Sequence, residues 1–188
     1  MTITLRPATL DDAGTLAELI NIASDGLPLA LWTRQTDSTR DAMTVGREQV
    51  ADEDSVFSWT KASVAVADGR LAGMIMTHLT GDTPGWFTED TPAVFRPLAT
   101  LEHAAPATRL IDAVCVLEPF RHRGVASALI KDAEMRPGAN GMSFVTHDRN
   151  QAGRDFFAHL GYREITRAPL IRADWQTYAT EWVLMRKP

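Results

Sequence analysis

The segment from residue 109 to residue 147 limits the possible folds of this chain more than any other part of the sequence. Residues 109–117 are rich in β-branched and other apolar residues, which predicts a buried strand. From Gly124 to Met135 the apolar residues recur at helical spacing, and residues 143–147 again have the composition of a strand. A strand, a short helix and a second strand in succession predict a parallel pair joined by a right-handed crossover.

The other strand patterns come as antiparallel hairpins around this parallel pair. Residues 63–67 and 71–79 flank the dipeptide Asp68-Gly69, which is typical of a tight β-hairpin turn. Further patterns predict strands at 2–6, 162–171 and 180–186, and helices at 9–26, 38–50 and 151–160. The fold class predicted is therefore α/β (α+β), with a mixed, mostly antiparallel sheet, a central parallel strand pair and helices on both faces.

The chain shows no repeat, low-complexity tract or linker, so we expect residues 1–188 to form a single domain. Residues 80–107 form a Pro-rich insertion between strand patterns, and Thr91 followed by Pro92 could begin a short helix there. The pair Trp86-Phe87 lies in this insertion and would suit either a lid or an interface in a homodimer.

Charge and cysteine content exclude several classes of function. The chain has 19 basic and 24 acidic residues, a balance opposite to that of most proteins that coat nucleic acid. The single cysteine, Cys115, rules out an intramolecular disulfide or a cysteine-cluster zinc site, and the histidines do not have a metal-binding spacing. No apolar run approaches the ~18 residues of a membrane span, and the first residues lack an apolar signal core. We therefore expect a cytoplasmic protein that binds no metal, nucleic acid or membrane.

The turn between the strand at 109–117 and the following helix has the composition of an anion-binding site. The first amides of a helix lack intrahelical acceptors and lie at the positive end of the helix dipole. Gly124 has no Cβ, so a ligand can approach the backbone there, and Arg121 and Arg123 add local positive charge. The alternative interpretation is an ordinary strand–helix turn with two solvated arginines.

The motif Arg121-x-x-Gly124-x-Ala126 resembles the Arg/Gln-x-x-Gly-x-Gly/Ala signature of the GNAT superfamily of N-acetyltransferases. A second match supports this, because Asn150, Phe156-Phe157 and Gly161-Tyr162 have the spacing of a later segment of that family. The resemblance covers roughly residues 2–80 and 108–186, and the Pro-rich insertion lies outside it.

The resemblance implies that the two central parallel strands splay apart and that acetyl-CoA, a co-substrate, lies in the opening. Backbone groups of Val114 and Val116 would hold the pantetheine arm, and Asn150 would hydrogen-bond the pantetheine or the thiol end. A neutral amine would attack the thioester directly, with no acyl-enzyme. The amides that would surround the pyrophosphate are those of Arg121, His122, Arg123, Gly124, Val125, Ala126 and Ser127.

The proton transfers of this reaction have fewer candidate residues. In the family a tyrosine seven residues after the asparagine often protonates the thiolate, but Phe157 occupies that position at the coenzyme site and cannot donate a proton. Asp112 has the same strand parity as Val114 and could act as general base through a water. Its alternative is a structural ion pair with an arginine such as Arg109. His147 is a second candidate base, and its alternative is an edge residue that makes a backbone hydrogen bond.

The sequence thus predicts an acetyl-CoA-dependent N-acetyltransferase acting on a primary amine of a small molecule or a protein. The N-terminal helices and the insertion are where we expect the acceptor to bind. One alternative is a non-catalytic acyl-CoA-binding or sensing module with a degenerate site, which the phenylalanine at position 157 favours. Another is an unrelated α/β protein whose matching turn is accidental.

Overall fold

A computed structural model describes residues 2–83 and 87–188, and these residues form seven strands and six α-helices. The strands are β1 (Ile3–Pro7), β2 (Ala62–Ala67), β3 (Arg70–Leu79), β4 (Arg109–Val116), β5 (Met142–His147), β6 (Arg163–Pro169) and β7 (Glu181–Lys187). The helices are α1 (Ala13–Ala23), α2 (Leu27–Thr33), α3 (Ala42–Ala51), α4 (Arg96–His103), α5 (Val125–Glu134) and α6 (Gln151–His159). Trp86, expected in an exposed pair with Phe87, lies outside the described residues.

The strands form one sheet in the order β1-β2-β3-β4-β5-β7-β6. Strands β4 and β5 are parallel, whereas β1 with β2, β2 with β3, β5 with β7 and β7 with β6 are antiparallel. The predicted α/β fold, with its mostly antiparallel sheet and central parallel pair, is therefore confirmed. The parallel ladder joins residues 109–111 to residues 142–144, although β4 continues to Val116 and β5 to His147.

The described chain divides into two compact units. Unit 1 comprises residues 2–77, 113–133 and 174–176, and unit 2 comprises residues 78–83, 87–112, 134–173 and 177–188. That the whole chain acts as one domain stays a prediction.

The core of unit 1 is built on the indole of Trp32, which is fully buried. Phe57 meets this ring edge to face with centroids 6.0 Å apart, and the indole Nε1 donates to Gln49 Oε1 at 3.1 Å. Gly46 lies in the middle of α3, where glycine costs about 1 kcal/mol of helix propensity relative to alanine. A Cβ at Gly46 would lie 2.5 Å from the Trp32 ring, so close packing of the helix against the indole explains this glycine.

The core of unit 2 contains stacked aromatic rings. Phe157 of α6 lies flat against Phe144 of β5, with centroids 3.8 Å apart and an interplanar angle of 12°. Tyr162 meets Phe157 edge to face at 5.0 Å. Each such aromatic pair contributes about 0.5–1.5 kcal/mol beyond its buried area, so these rings fix α6 on the sheet strand.

The structure differs from the sequence expectations at two helices. The pattern of Gly26 and Pro28 suggested only the end of a helix, but Gly26 adopts a φ of +83° as the N-cap of α2 and Pro28 lies in its first turn. Proline is favoured there because the first-turn amides have no intrahelical acceptor. In the Pro-rich insertion, the short helix expected near Thr91 begins as a 3₁₀ turn at Ala93–Phe95 and continues as α4, which has Pro97 in its first turn.

Candidate functional site

The turn that follows β4 belongs to unit 1 and is shaped by main-chain hydrogen bonds. The Leu117 N–H donates to the Ala72 carbonyl at 2.9 Å, which ties the end of β4 to β3. The Phe120 N–H then donates to the Leu117 carbonyl at 2.9 Å, and the Arg121 N–H donates to the Glu118 carbonyl at 3.2 Å. These bonds form a short 3₁₀ turn, and the buried Phe120 ring anchors it.

The entrance to α5 has the geometry of an anion-binding turn. His122 and Gly124 both have positive φ angles, +58° and +83°, which turns the chain sharply before Val125. The Ala128 N–H donates to the Gly124 carbonyl at 2.9 Å, so the first helical bond closes on Gly124. The amides of Val125, Ala126 and Ser127 precede this bond and have no intrahelical acceptor.

Gly124 is required here by its backbone conformation rather than by packing inside the protein. No heavy atom lies within 4 Å of the position that a Cβ would occupy. Residues 121–124 are all exposed, so the outer side of this turn faces open space. The turn can therefore accept a ligand against its backbone.

Arg121 holds the turn to the end of the strand. Its Nε donates to the Val116 carbonyl at 3.1 Å, so the positive charge of Arg121 lies beside the last residue of β4. Along β4, Ile111, Ala113 and Cys115 are buried, whereas Val114 and Val116 are partly buried. The expected burial of Cys115 is confirmed, and burial raises the pKa of its thiol, so it is not a reactive thiolate.

Three ionisable side chains of unit 2 meet in one hydrogen-bonded cluster. His78 lies near the end of β3, Glu102 on α4 and Asp112 on β4. The His78 Nδ1 donates to Asp112 Oδ2 at 2.9 Å, and the His78 Nε2 donates to Glu102 Oε1 at 3.0 Å. We call Glu102, His78 and Asp112 the charged trio.

The two carboxylates keep His78 protonated. Burial opposes its charged form, but the hydrogen bonds to Asp112 and Glu102 outweigh burial and raise the pKa of His78 to about 10. With both ring nitrogens protonated, the imidazolium donates to both carboxylates. At neutral pH the charged trio therefore carries two negative charges and one positive charge.

The ion pair of Asp112 is with His78. The sequence suggested a structural partner such as Arg109, and the described partner is instead a histidine 34 residues earlier in the chain. The Asp112 side chain is 30% exposed, whereas Glu102 is 5% exposed. Solvent or a substrate can therefore reach Asp112 and the edge of the His78 ring, which is 26% exposed, but not Glu102.

Asn150 acts as the N-cap of α6. Its Oδ1 accepts from the Gly153 N–H at 3.0 Å, and its Nδ2 donates to Thr146 Oγ1 at 2.9 Å. Asparagine is among the strongest N-cap residues, which explains its place directly before this helix. The predicted contact of Asn150 with the coenzyme stays a prediction. Such a contact would use the hydrogen-bonding capacity of the side-chain amide that these two bonds leave over.

The other two residues predicted on β5 and α6 contact aromatic rings. The His147 imidazole lies 6.4 Å from the Trp182 ring in an edge-to-face arrangement. Phe157 is 1% exposed within the aromatic core of unit 2. Their predicted roles as a base and as a coenzyme contact stay predictions.

Sequence reasoning missed His78 and Glu102 as partners of Asp112. The only sequence signal for this contact is that His78 and Asp112 both belong to strand patterns. The pairing could not be predicted, because nothing in the sequence gives the register of two strands so far apart. Glu102 lies in the insertion, outside the family resemblance.

Two further findings concern the part of the chain that the structure describes. No group of three or more histidine, cysteine, aspartate or glutamate side chains there could hold a metal ion. Across residues 2–83 and 87–188, no helix combines the length and apolar character needed to cross a membrane.

The sequence matches the acetyltransferase (GNAT) family over residues 18–162. This match covers most of the chain, so the protein belongs to the GNAT family of acetyltransferases, which implies acetyl-CoA-dependent acetyl transfer. A comparison with curated protein sequences gives no match.

Solved structures of acetyltransferases have the same fold. An N-acetyltransferase from Staphylococcus aureus Mu50 superposes with a TM-score of 0.70 at 16% identity, with 97% of this chain and 98% of that chain covered. A crystal structure described as an acetyltransferase gives a TM-score of 0.69 at 18% identity and covers 98% of both chains. The PaiA N-acetyltransferase from Thermoplasma acidophilum, solved in complex with coenzyme A, gives 0.56 at 12% identity with full coverage of both chains.

Proposed function

We propose that this protein transfers the acetyl group of acetyl-CoA to a primary amine of a small molecule or a protein. Family membership supports the use of acetyl-CoA. The observation that carries the proposal is the turn at the entrance of α5, where main-chain amides without intrahelical acceptors lie beside an exposed Gly124 with a φ of +83°.

The residues of this turn fit the pyrophosphate of a coenzyme A thioester. The amides of Val125, Ala126 and Ser127 are donors that an anionic oxygen can accept from, and the dipole of α5 adds about 0.3–1 kcal/mol. The empty space at the Gly124 Cβ position allows phosphate oxygens to approach the backbone. Arg121 and Arg123 would supply positive charge to a chain with a net charge of −5.

The chemical step requires little of the protein beyond holding two reactants together. Correct positioning can supply effective molarities of roughly 10⁵–10⁸ M in the best cases. A coenzyme A thiolate can leave without a proton donor, because a thiol like that of cysteine has a pKa of ~8.5. The phenylalanine at position 157 is therefore compatible with catalysis.

The remaining task is to remove a proton from the acceptor, and we assign it to Asp112. An alkylammonium must lose a proton before its nitrogen can attack, and Asp112 can take this proton through a water molecule. Its partial exposure and its position on β4, two residues before Val114, support this role. His147 is retained as the second candidate base.

The net negative charge of the charged trio favours a cationic acceptor. Two carboxylates and one imidazolium attract an ammonium group more than a neutral amine, and this attraction strengthens as solvent is excluded. A cytoplasmic location, a homodimer and the absence of nucleic-acid binding stay predictions.

The proposal is tested by incubating the protein with acetyl-CoA and a panel of primary amines, from small diamines to peptides with free N-termini. We expect saturable release of coenzyme A and a product heavier by one acetyl group with at least one amine. Tight coenzyme A binding without transfer to any amine would contradict the enzyme proposal. That result would favour the alternative of a non-catalytic acyl-CoA-binding module, which the absence of a tyrosine at position 157 suggests.

A further inference from the structure

Glu102 is a buried carboxylate with no part in the proposed proton transfer. It lies on α4 in the insertion, and its side chain is 5% exposed. A buried carboxylate without a partner is costly, so such residues are found paired with charged or hydrogen-bonding groups. A partner of Glu102 is the imidazolium of His78, whose other nitrogen holds Asp112.

His78 connects the buried carboxylate to the exposed one and has no ring nitrogen left for a substrate. Nδ1 donates to Asp112 and Nε2 donates to Glu102, at 2.9 and 3.0 Å. An imidazole with both nitrogens engaged cannot transfer a proton to a substrate without breaking one of these bonds. Its role in the cluster is therefore to orient Asp112 and to provide a positive charge beside it.

The insertion that carries Glu102 is anchored at both ends. The Thr80 N–H donates to the Thr108 carbonyl at 2.9 Å, and the Thr108 N–H donates to Thr80 Oγ1 at 2.9 Å. Both threonines are buried, and Thr80 Oγ1 also donates to the Ala105 carbonyl at 2.8 Å. These bonds hold the end of α4 against the strands that carry His78 and Asp112, so Glu102 has a fixed position.

We propose that Glu102 is a positioning residue for acetyl transfer, acting through His78 to hold the Asp112 carboxylate in one orientation. This inference rests on the proposed function, because it assumes that Asp112 accepts the proton of the amine. It also gives the insertion a role in catalysis, because α4 carries the residue that positions Asp112.

The charge of Glu102 affects Asp112 through the protonation of His78. The charged groups that act on His78 are Asp112 from β4 and Glu102 from α4, and burial opposes them. If Glu102 loses its charge, one carboxylate alone must offset the burial of the imidazolium, and the pKa of His78 falls. His78 then loses its proton at a lower pH, and Asp112 loses the positively charged donor that orients it.

The experiment compares the full-length wild type with Glu102→Gln, which removes the charge and keeps the shape. The titration of the His78 ring is followed by NMR, and kcat and KM are measured from pH 6 to 10 with acetyl-CoA and the best amine of the panel. Glu89→Gln is the matched control, because it removes an exposed carboxylate from the same insertion.

In Glu102→Gln we expect the midpoint of the His78 titration to fall by at least ~1 pH unit. We expect kcat at pH 8 to fall about tenfold and KM for acetyl-CoA to change less than about twofold, because the coenzyme site is untouched. Glu102→Asp keeps the charge on a shorter side chain, and it should recover part of the lost rate. If Glu102→Gln does not fold, Glu102→Asp is the test variant, because its shorter side chain weakens the contact with His78, and its kcat should then lie below that of the wild type.

An unchanged His78 midpoint in Glu102→Gln would overturn the inference, and so would a shifted midpoint with an unchanged kcat. The control Glu89→Gln should match the wild type in both readouts. If the wild type transfers acetyl to no amine while the midpoint still shifts in the variant, the proposed function fails and the linkage within the charged trio stands.

Discussion

The turn at Arg121–Ser127 and the charged trio differ in whether main-chain or side-chain groups carry their chemistry. In the turn the groups that face a ligand are main-chain amides, so its chemistry depends on φ angles and helix geometry. In the charged trio the active groups are side chains from β3, α4 and β4, so its chemistry depends on three hydrogen-bonding residues being present. The turn therefore tolerates many side-chain changes, whereas each member of the trio is sensitive to substitution.

The largest effect of any single substitution is expected at the trio. Asp112→Asn keeps the size of the side chain but removes its ability to accept a proton, and general base catalysis contributes about 10²–10⁴-fold to rate. We expect kcat to fall by this amount while the Kd for coenzyme A, measured by calorimetry, stays unchanged. Asp54→Asn, at an exposed position in unit 1, is the control. A rate within a few fold of the wild type would remove Asp112 from the mechanism.

The second prediction concerns the pH dependence of stability. The pKa of His78 is raised to about 10 in the folded protein from 6.5, so its stabilising contribution is complete below pH 6.5 and is lost as the pH rises towards 10. The free energy of unfolding of the wild type relative to His78→Gln should therefore decrease across this window, by on the order of a few kcal/mol. Urea unfolding at pH 6, 8 and 10 measures this difference. A difference that is constant with pH would show that His78 is not held protonated by its two neighbours.

The third prediction tests whether the site lacks a tyrosine proton donor at position 157. Phe157→Tyr places a hydroxyl in the tightly packed aromatic core of unit 2, where an unsatisfied polar group costs about 1–3 kcal/mol. We expect a melting temperature lower by roughly 2–4 °C for each kcal/mol and no gain in kcat. Phe156→Tyr, at a half-buried position next to it, should be better tolerated. A strong gain in kcat would instead support a site degraded by loss of a tyrosine.

The smallest effect is expected at the turn. Gly124 and Gly69 have φ angles of +83° and +76°, and neither has a heavy atom within 4 Å of a Cβ position. Alanine at either position therefore costs a similar conformational strain, about 1–2 kcal/mol. Only Gly124→Ala should also weaken coenzyme A binding, by roughly tenfold, which corresponds to about 1.4 kcal/mol. Equal Kd values for the two variants would show that the ligand does not approach the backbone at Gly124.

Features set by residues close in sequence could be predicted. The Asp68-Gly69 hairpin is confirmed with φ angles of +51° and +76°, and the predicted helix after Gly124 is α5. Both depend on glycine conformation and local apolar spacing, which a single sequence contains. Gly26 shows the limit of such rules, because the same glycine that follows α1 also caps α2.

Features set by residues far apart could not be predicted. The strand parity of Asp112 predicts a general base, but its link to Glu102 through His78 depends on how β3, β4 and α4 meet. Asn150 shows the opposite case, since its capping role follows from its position before α6 while the resemblance suggested a coenzyme contact. Local main-chain geometry is thus easier to predict from sequence than side-chain clusters.

The pyrophosphate assignment can be examined by adding coenzyme A to ¹⁵N-labelled protein and following the amide resonances of residues 121–127. We predict that the signals of Val125, Ala126 and Ser127 move with the largest and saturable shifts, as their N–H groups gain phosphate acceptors. Saturable binding that leaves these amides unmoved, with shifts confined to other parts of the chain, would contradict the assignment and with it the proposed mode of acetyl-CoA binding.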